Sequence, residues 1–220
     1  MRGVFVTGTD TDAGKTYVAC LLAQQLASDG VGVIPKKPVE SGCNNQQGEL
    51  IPADALALKQ AAALDADLSE VCAYRFEAAL SPVRAAQLEN KKVSIEQLAQ
   101  VCEYEGDGFL MIEGAGGFYS PLASDGLNAD LAESLQLPVL LVAENKLGCI
   151  NQVLLTAEAI SKRGLKLAAV VLNKKDLTGN QDMDNAEDLR GYISAPIYLI
   201  ENNQNNPEVL TALSQHLLSL

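Results

Sequence analysis

The sequence predicts an α/β fold, a mostly parallel central sheet with helices on both faces. Strand-like runs recur at 3–7, 31–36, 108–113, 138–143, 167–172 and 196–200, with helix-like patterns between them. Alternating strands and helices build right-handed βαβ units whose strands lie parallel. Runs such as Val139 to Val142 and Ala168 to Leu172 are continuously apolar, as expected of strands covered on both faces. The 220 residues, 48% hydrophobic and 20% charged, suffice for a substantial core. No clear linker, repeat or low-complexity block divides them, so residues 1–220 are expected to form a single domain.

The first strand, 3–7, leads into a loop bounded by Gly8 and Gly14. Lys15 and Thr16 then open the pattern Val18, Ala19, Leu21, Leu22, Leu26, spaced as one face of a helix over 15–28. Strand, glycine loop and Gly-Lys-Thr at a helix start are the parts of a phosphate cradle. Backbone N–H groups and the helix dipole face an anion, the lysine reaches the β- and γ-phosphates, and the threonine hydroxyl suits Mg²⁺. Asp12, Ala13, Gly14, Lys15, Thr16 and Tyr17 are the residues expected around a nucleotide's phosphates. The usual spacer before Gly-Lys-Thr is four residues; here it is five, Thr9 to Ala13. An ordinary strand-to-helix turn is the competing reading, and the flanking strand and helix weigh against it.

In an open parallel sheet, ligands bind at the carboxyl ends of the strands. Strand 31–36 exits into Lys36-Lys37-Pro38-Val39-Glu40-Ser41-Gly42. The lysine pair reads either as a solvated turn or as a second cation aimed at the phosphate site, with Ser41 a nearby hydroxyl. Asp54 stands near the start of the helical pattern 53–64. An acid there either complements the helix dipole or faces the same crevice. Helical patterns at 82–88 and 94–104 precede strand 108–113, which ends in Glu113-Gly-Ala-Gly-Gly117. An acid at a strand tip before a glycine loop resembles a Walker-B-like carboxylate beside phosphates. It is not a dinucleotide fingerprint, since position 119 is tyrosine. Thr16, Asp54 and Glu113 together supply a hydroxyl and two carboxylates, hard oxygen ligands suited to Mg²⁺.

A helix over 129–135 leads to strand 138–143 and then to Glu144-Asn-Lys-Leu-Gly-Cys-Ile-Asn151, which opens a helix over 150–163. Backbone amides there would hold a second anion, such as a substrate carboxylate, or simply make a turn. Strand 167–172 is followed by Asn173-Lys-Lys-Asp176, on its face the Asn-Lys-x-Asp string of GTP-binding proteins. A helical pattern at 182–192 precedes strand 196–200, and the polar loop 202–206 gives way to a last helix, 207–219, begun by Pro207.

Charge and residue counts exclude several functions. A net charge of −12 would repel a nucleic-acid backbone. The longest apolar runs, such as Leu137 to Ala143, are far too short to span a bilayer, and no basic amphipathic helix argues for a membrane surface. The N-terminus runs straight into a strand, so no signal or transit peptide is expected. Five scattered cysteines without a Cys-x-x-Cys pair fit reduced thiols in a cytoplasm rather than disulfides or a zinc site. The single histidine, His216, lies near the C-terminus, which removes His-ligated metals and Ser-His-Asp triads from consideration.

With these residues in hand, the chain resembles the dethiobiotin synthetases, P-loop enzymes of biotin biosynthesis. The segments that carry the likeness are Val6 to Thr16, Lys37-Pro-Val-Glu-Ser-Gly42, Asp54 to Leu58, Ser81-Pro82, Glu113-Gly-Ala-Gly-Gly117 and Lys146-Leu-Gly-Cys-Ile-Asn151. The resemblance implies a seven-stranded, mostly parallel P-loop fold, with a seventh strand sought within 71–76, and a homodimer whose active sites lie at the interface. It implies a cyclo-ligase that carboxylates 7,8-diaminononanoate with CO₂, activates the carbamate with the γ-phosphate of ATP and closes the ring. Lys37 and Lys15 would then stabilise the carbamate and transferred phosphoryl group. Thr11 and Ser41 would position diamine and carbamate, Thr16, Asp54 and Glu113 would surround Mg²⁺, and Gly116 would approach the substrate through its backbone. Leu147, Gly148, Cys149, Ile150 and Asn151 would bind the tail carboxylate from the partner subunit, and Asn173 would contact the base.

Two segments depart from the family pattern. Lys174-Lys175 stand where a simpler turn is expected, and the stretch after the last strand lacks a Gly-x-Ile-Pro-type turn. The competing class is a regulatory P-loop NTPase, a partitioning-type ATPase or GTP-dependent switch, which has no need of Lys37 with Ser41 or of a second anion pocket.

Overall fold

All six predicted strands form, and all six join one parallel sheet. The computed structural model describes residues 2–175, 183–201 and 206–220. In chain order the elements run β1 (Gly3–Gly8), α1 (Lys15–Ser28), β2 (Val33–Lys36), β3 (Val39–Ser41), β4 (Asn44–Gln46), β5 (Glu49–Ile51), α2 (Ala53–Ala61), α3 (Leu68–Val71), β6 (Tyr74–Phe76) and α4 (Pro82–Leu88). They continue with α5 (Ile95–Cys102), β7 (Phe109–Gly117), β8 (Pro121–Ala123), β9 (Gly126–Leu127), α6 (Asn128–Leu135), β10 (Val139–Glu144), α7 (Cys149–Lys162), β11 (Leu167–Lys174), α8 (Asn185–Arg190), β12 (Ile197–Glu201) and α9 (Pro207–Leu218).

The main sheet has the order β12-β11-β10-β1-β7-β2, every pairing parallel. Side chains alternate between its faces. Phe5, Leu110, Ile112, Leu141 and Leu172 enter a core closed by α4 to α7. Val4, Val6, Met111, Leu140 and Val171 enter a second core closed by α1, α2 and α9. Burial on both faces is why these strands read as unbroken apolar runs. From β1 the chain first lays down β2 at the sheet's edge, then inserts β7 between the two, and afterwards adds β10, β11 and β12 on the other side of β1. That reversal opens a crevice at the carboxyl end of β1.

The helices follow the predicted patterns with small differences at their ends. The span 53–64 shortens to Ala53–Ala61, because Ala63 turns to φ +49°. The span 94–104 becomes Ile95–Cys102, capped by Ser94, whose Oγ accepts from the Gln97 backbone N–H. Helix α3, a single turn, left no readable period. A strand does form in the 71–76 window, at Tyr74–Phe76, but it pairs with β3 in a separate two-stranded sheet. The main sheet therefore has six strands rather than seven among the described residues. Asp176, residue 182 of the predicted 182–192 helix and most of the 202–206 loop lie outside the described residues; Asn206 exchanges two hydrogen bonds with the Glu201 backbone beside β12.

Candidate active site

The loop from β1 to α1 folds tightly over the sheet's carboxyl edge. Lys15 is 7% exposed, and its Nζ donates to the Asp10 carbonyl at 3.3 Å. Gly14 takes φ +96°, and a Cβ there would lie 1.9 Å from Asn173 Nδ2, so only glycine fits. The Asn173 amide donates to the Ala13 carbonyl at 3.0 Å, tying the loop to β11. Lys175, just past β11, donates to the Asp12 carbonyl from the solvent side.

Three further segments converge on this loop. Lys37, just past β2, is 3% exposed. Its Nζ lies 2.5 Å from Glu113 Oε1 on β7, 3.0 Å from Asp54 Oδ2 on α2 and 3.2 Å from the Gly114 carbonyl. Thr16 Oγ1 donates to the same Glu113 oxygen at 2.8 Å. Strand order makes this possible: β7 lies between β1 and β2, so residues distant in sequence meet at adjacent strand tips.

These contacts shift the ionisation of the charged groups. Burial pulls the Lys37 ammonium down, but the Glu113 and Asp54 charges and hydrogen bonds outweigh it and leave its pKa above the ordinary lysine value. Lys15 goes the other way, lowered by burial and then by the field of Lys37. Burial raises the Asp54 carboxyl, yet the charge and hydrogen bond of Lys37 prevail and hold it below its usual value. Burial dominates at Glu40, whose pKa is raised.

The glycine loop after β7 is braced from α6. Asn128 accepts from the Ala115 N–H at 2.9 Å and donates to the carbonyls of Ala115, Gly117 and Ser120. A Cβ on Gly114 would stand 2.5 Å from Asn128 Oδ1, which explains the glycine before Ala115. Thr11, Asp12, Gly14, Lys15, Thr16, Tyr17, Lys37, Ser41, Asp54 and Gly116 all line one cleft of about 420 Å³. Glu113, 1% exposed, does not itself line the cleft but is hydrogen-bonded to Lys37 and Thr16, which do. Ala13 is buried under the loop. Ser41 Oγ donates to the Leu80 carbonyl at 2.6 Å, leaving its oxygen lone pairs as acceptors.

Asn173 is fully buried beneath the phosphate loop rather than on the cleft wall. Residues 147–151 do not line the cleft of their own chain. They form the start of α7, where Gly148 caps the helix at φ +89°, Leu147 is 92% exposed and Cys149 is buried. Sequence reasoning gave no place to Glu40, Lys175, Ser120 or Asn128. Only a glutamate next to Ser41 and an asparagine eleven residues past Gly117 hinted at them, and neither spacing carries a pattern.

The donor set fits a divalent cation. Glu113 Oε2 is buried without a hydrogen-bond partner among the described residues, and the ammonium of Lys37 already sits between Glu113 and Asp54. Among the described residues no three His, Cys, Asp or Glu side chains cluster as a metal cage. The fitting ion is therefore one that takes a hydroxyl, one or two carboxylates and a ligand's phosphates, as Mg²⁺ does. The cleft can hold a polyphosphate against backbone amides and two lysines.

A family model described as an AAA domain matches residues 2–208. An ATP-dependent dethiobiotin synthetase of Ruthia magnifica is 40% identical over 79% of this chain and 80% of its own length. Those of Vesicomyosocius okutanii, 37% identical over 92% and 91% of the two chains, and of an Anaeromyxobacter strain, 42% identical over 83% and 79%, are similar. Among solved structures, the signal recognition particle receptor FtsY of Elizabethkingia anophelis superposes with a TM-score of 0.52 at 15% identity. That match covers 99% of this chain but 65% of FtsY, and it shows the fold alone.

Proposed function

The chain belongs to the dethiobiotin synthetase family, and from that premise we propose that it is an ATP-dependent ligase of biotin biosynthesis. Its substrates are 7,8-diaminononanoate, CO₂ and ATP, and residues 1–220 act as one P-loop domain. The observation that carries the reading is the convergence of Lys15, Lys37, Thr16, Asp54 and Glu113 at one cleft.

One amine of the diamine adds to CO₂ and loses a proton, giving a carbamate. A carbamate oxygen then attacks the γ-phosphorus of ATP, forming a carbamic–phosphoric anhydride as the bond to ADP breaks. The second amine attacks the carbamoyl carbon, the carbon–oxygen bond to phosphate breaks, and the ureido ring closes with loss of a proton. Two anions must meet in the phosphoryl-transfer step, so electrostatic stabilisation and positioning dominate. Lys15 and Lys37 supply the cationic charge, and the backbone amides of residues 12–17 hold the phosphates. Thr11, Ser41 and the Gly116 backbone orient the diamine and carbamate, and Asn173 sets the loop beside the base. Thr16, Asp54 and Glu113 are the residues that would hold Mg²⁺, which supplies charge neutralisation at the β- and γ-phosphates.

The same reading makes the molecule a homodimer. Leu147, Gly148, Cys149, Ile150 and Asn151 would present the N-terminus of α7 to the substrate's tail carboxylate in the partner's cleft. The exposed Leu147 and Leu155, at 92% and 60%, support a contact surface at this helix. Five free cysteines support a reducing cytoplasmic setting, and among the described residues no helix is long and apolar enough to cross a membrane.

Phosphate release tests the assignment. The ligase reading expects release from Mg-ATP only when diamine and bicarbonate are both present, with dethiobiotin formed in equal amount. Hydrolysis indifferent to the diamine, or driven by a protein or membrane partner, would move the chain to the regulatory NTPase class.

A further inference from the structure

Glu40 is buried at 6% exposure on β3, between the Lys37 turn and the start of α2. Its two carboxylate oxygens accept separate backbone N–H groups from the first turn of that nine-residue helix. Oε1 takes the N–H of Asp54 and Oε2 that of Ala55, each at 3.0 Å. The residue at the capping position is Pro52, whose side chain has no acceptor to offer. Two of the orphan donors of the helix are thus satisfied by a carboxylate fourteen residues before Asp54, which also lies favourably against the helix dipole.

The geometry points to Glu40 as a positioning residue for Asp54, and so for the cation pocket. It closes a ring of contacts. The backbone runs from Lys37 through Pro38 and Val39 to Glu40, whose carboxylate clamps the amide of Asp54, whose own carboxylate returns to Lys37 Nζ at 3.0 Å. Without the clamp, the Asp54 backbone is held only by the first turn of α2, the part of a helix that frays most readily. Glu40 lines the cleft without taking a nucleotide's phosphates itself, since an anion beside them repels; its effect passes through Asp54. This deepens the reading of Asp54 as a metal-binding carboxylate and rests on it.

The test is a double-substitution cycle read on nucleotide binding. ADP affinity is measured by calorimetry with and without Mg²⁺ for the unaltered chain, Glu40→Ala, Asp54→Asn and the double variant. Removing a group that holds a metal-binding carboxylate typically lowers metal affinity ~10–100-fold. Glu40→Ala is therefore expected to cut the Mg²⁺-dependent gain in ADP affinity by about tenfold while leaving metal-free ADP affinity within about threefold. In the Asp54→Asn background the same substitution is expected to have little further effect, because residues acting through one another are not additive. An equal loss in both backgrounds, or an equal loss with and without Mg²⁺, would show a merely structural cap and overturn the proposal. Glu40→Gln keeps one acceptor oxygen and carries the test if the alanine variant does not fold. It should lose part of the gain, and no loss would equally overturn it. The readout needs no diamine, so it stands or falls separately from the phosphate-release assay of the ligase reading.

Discussion

Replacing Lys37 by alanine removes the one cation among the described residues that touches both Asp54 and Glu113. Glu113 is 1% exposed, its Oε1 contacts Lys37 and Thr16, and its Oε2 has no partner among the described residues. Stripping one member from a buried ion pair typically costs ~3–5 kcal/mol, because the remaining charge is left in a low-dielectric site. Asp54 adds less, since its side chain is 44% exposed and water screens it. We take about 3 kcal/mol as the expected loss, which for a chain of this size corresponds to a fall in Tm of roughly 6–12 °C. Turnover should fall far more, by ~10²–10³ or beyond, the usual cost of removing one preorganised donor to the charge that develops in a transition state. ADP affinity should change little, because the backbone amides and Lys15 remain. Scanning calorimetry, ADP titration and diamine-dependent phosphate release, run on one preparation below its melting temperature, separate the three effects. Near-normal turnover would refute the catalytic role, and an unchanged Tm would refute the reading of Lys37 as the charge that balances Glu113.

Three other expectations follow from the geometry. Gly14→Ala should abolish tight ADP binding, since its Cβ would meet Asn173 Nδ2 at 1.9 Å in a backbone conformation that costs other residues ~1–2 kcal/mol; recovery of affinity in Gly14→Ala with Asn173→Ala would locate the fault in that collision, and no recovery would locate it in the backbone alone. The Lys37–Asp54 pair should narrow the pH range of stability at both ends: Asp54, held below its usual value, contributes above about pH 4 and loses that contribution as pH falls through its folded pKa, whereas Lys37, held above its usual value, contributes fully below about pH 10 and loses that as pH rises through its folded pKa. Urea melts across pH on the unaltered chain and on Asp54→Asn check this, and an unaltered acid limb in the variant would contradict it. Rates with ATP and GTP measured side by side should favour ATP, and a strong GTP preference would return Asn173-Lys-Lys-Asp176 to a base-reading role.

The apolar runs at Val139 to Val142 and Ala168 to Leu172 announced a sheet buried on both faces, because burial leaves no position for a polar side chain. Gly-Lys-Thr between a strand and a helix marked the proposed anion site, because few other contexts need that glycine geometry and that lysine together. Both signals are local, and local energetics write themselves into neighbouring residues.

Strand order is not local. Nothing between Val33 and Gly117 states that β7 will slot between β1 and β2, yet that placement brings Lys37, Thr16 and Glu113 within hydrogen-bonding distance. The pairing of β3 with β6 in a sheet of their own, and the polar hairpin of β4 and β5 around Gly48, are three-residue ladders too short to impose a period. Glu40 was silent for the same reason: its partners are backbone amides, which have no residue identity to read. The sequence by itself determined which surfaces must be buried and where a glycine-bounded loop joins the first strand to its helix. The tertiary structure alone decided which carboxylates meet which lysine, because that depends on contacts between segments whose separation along the chain carries no energetic record.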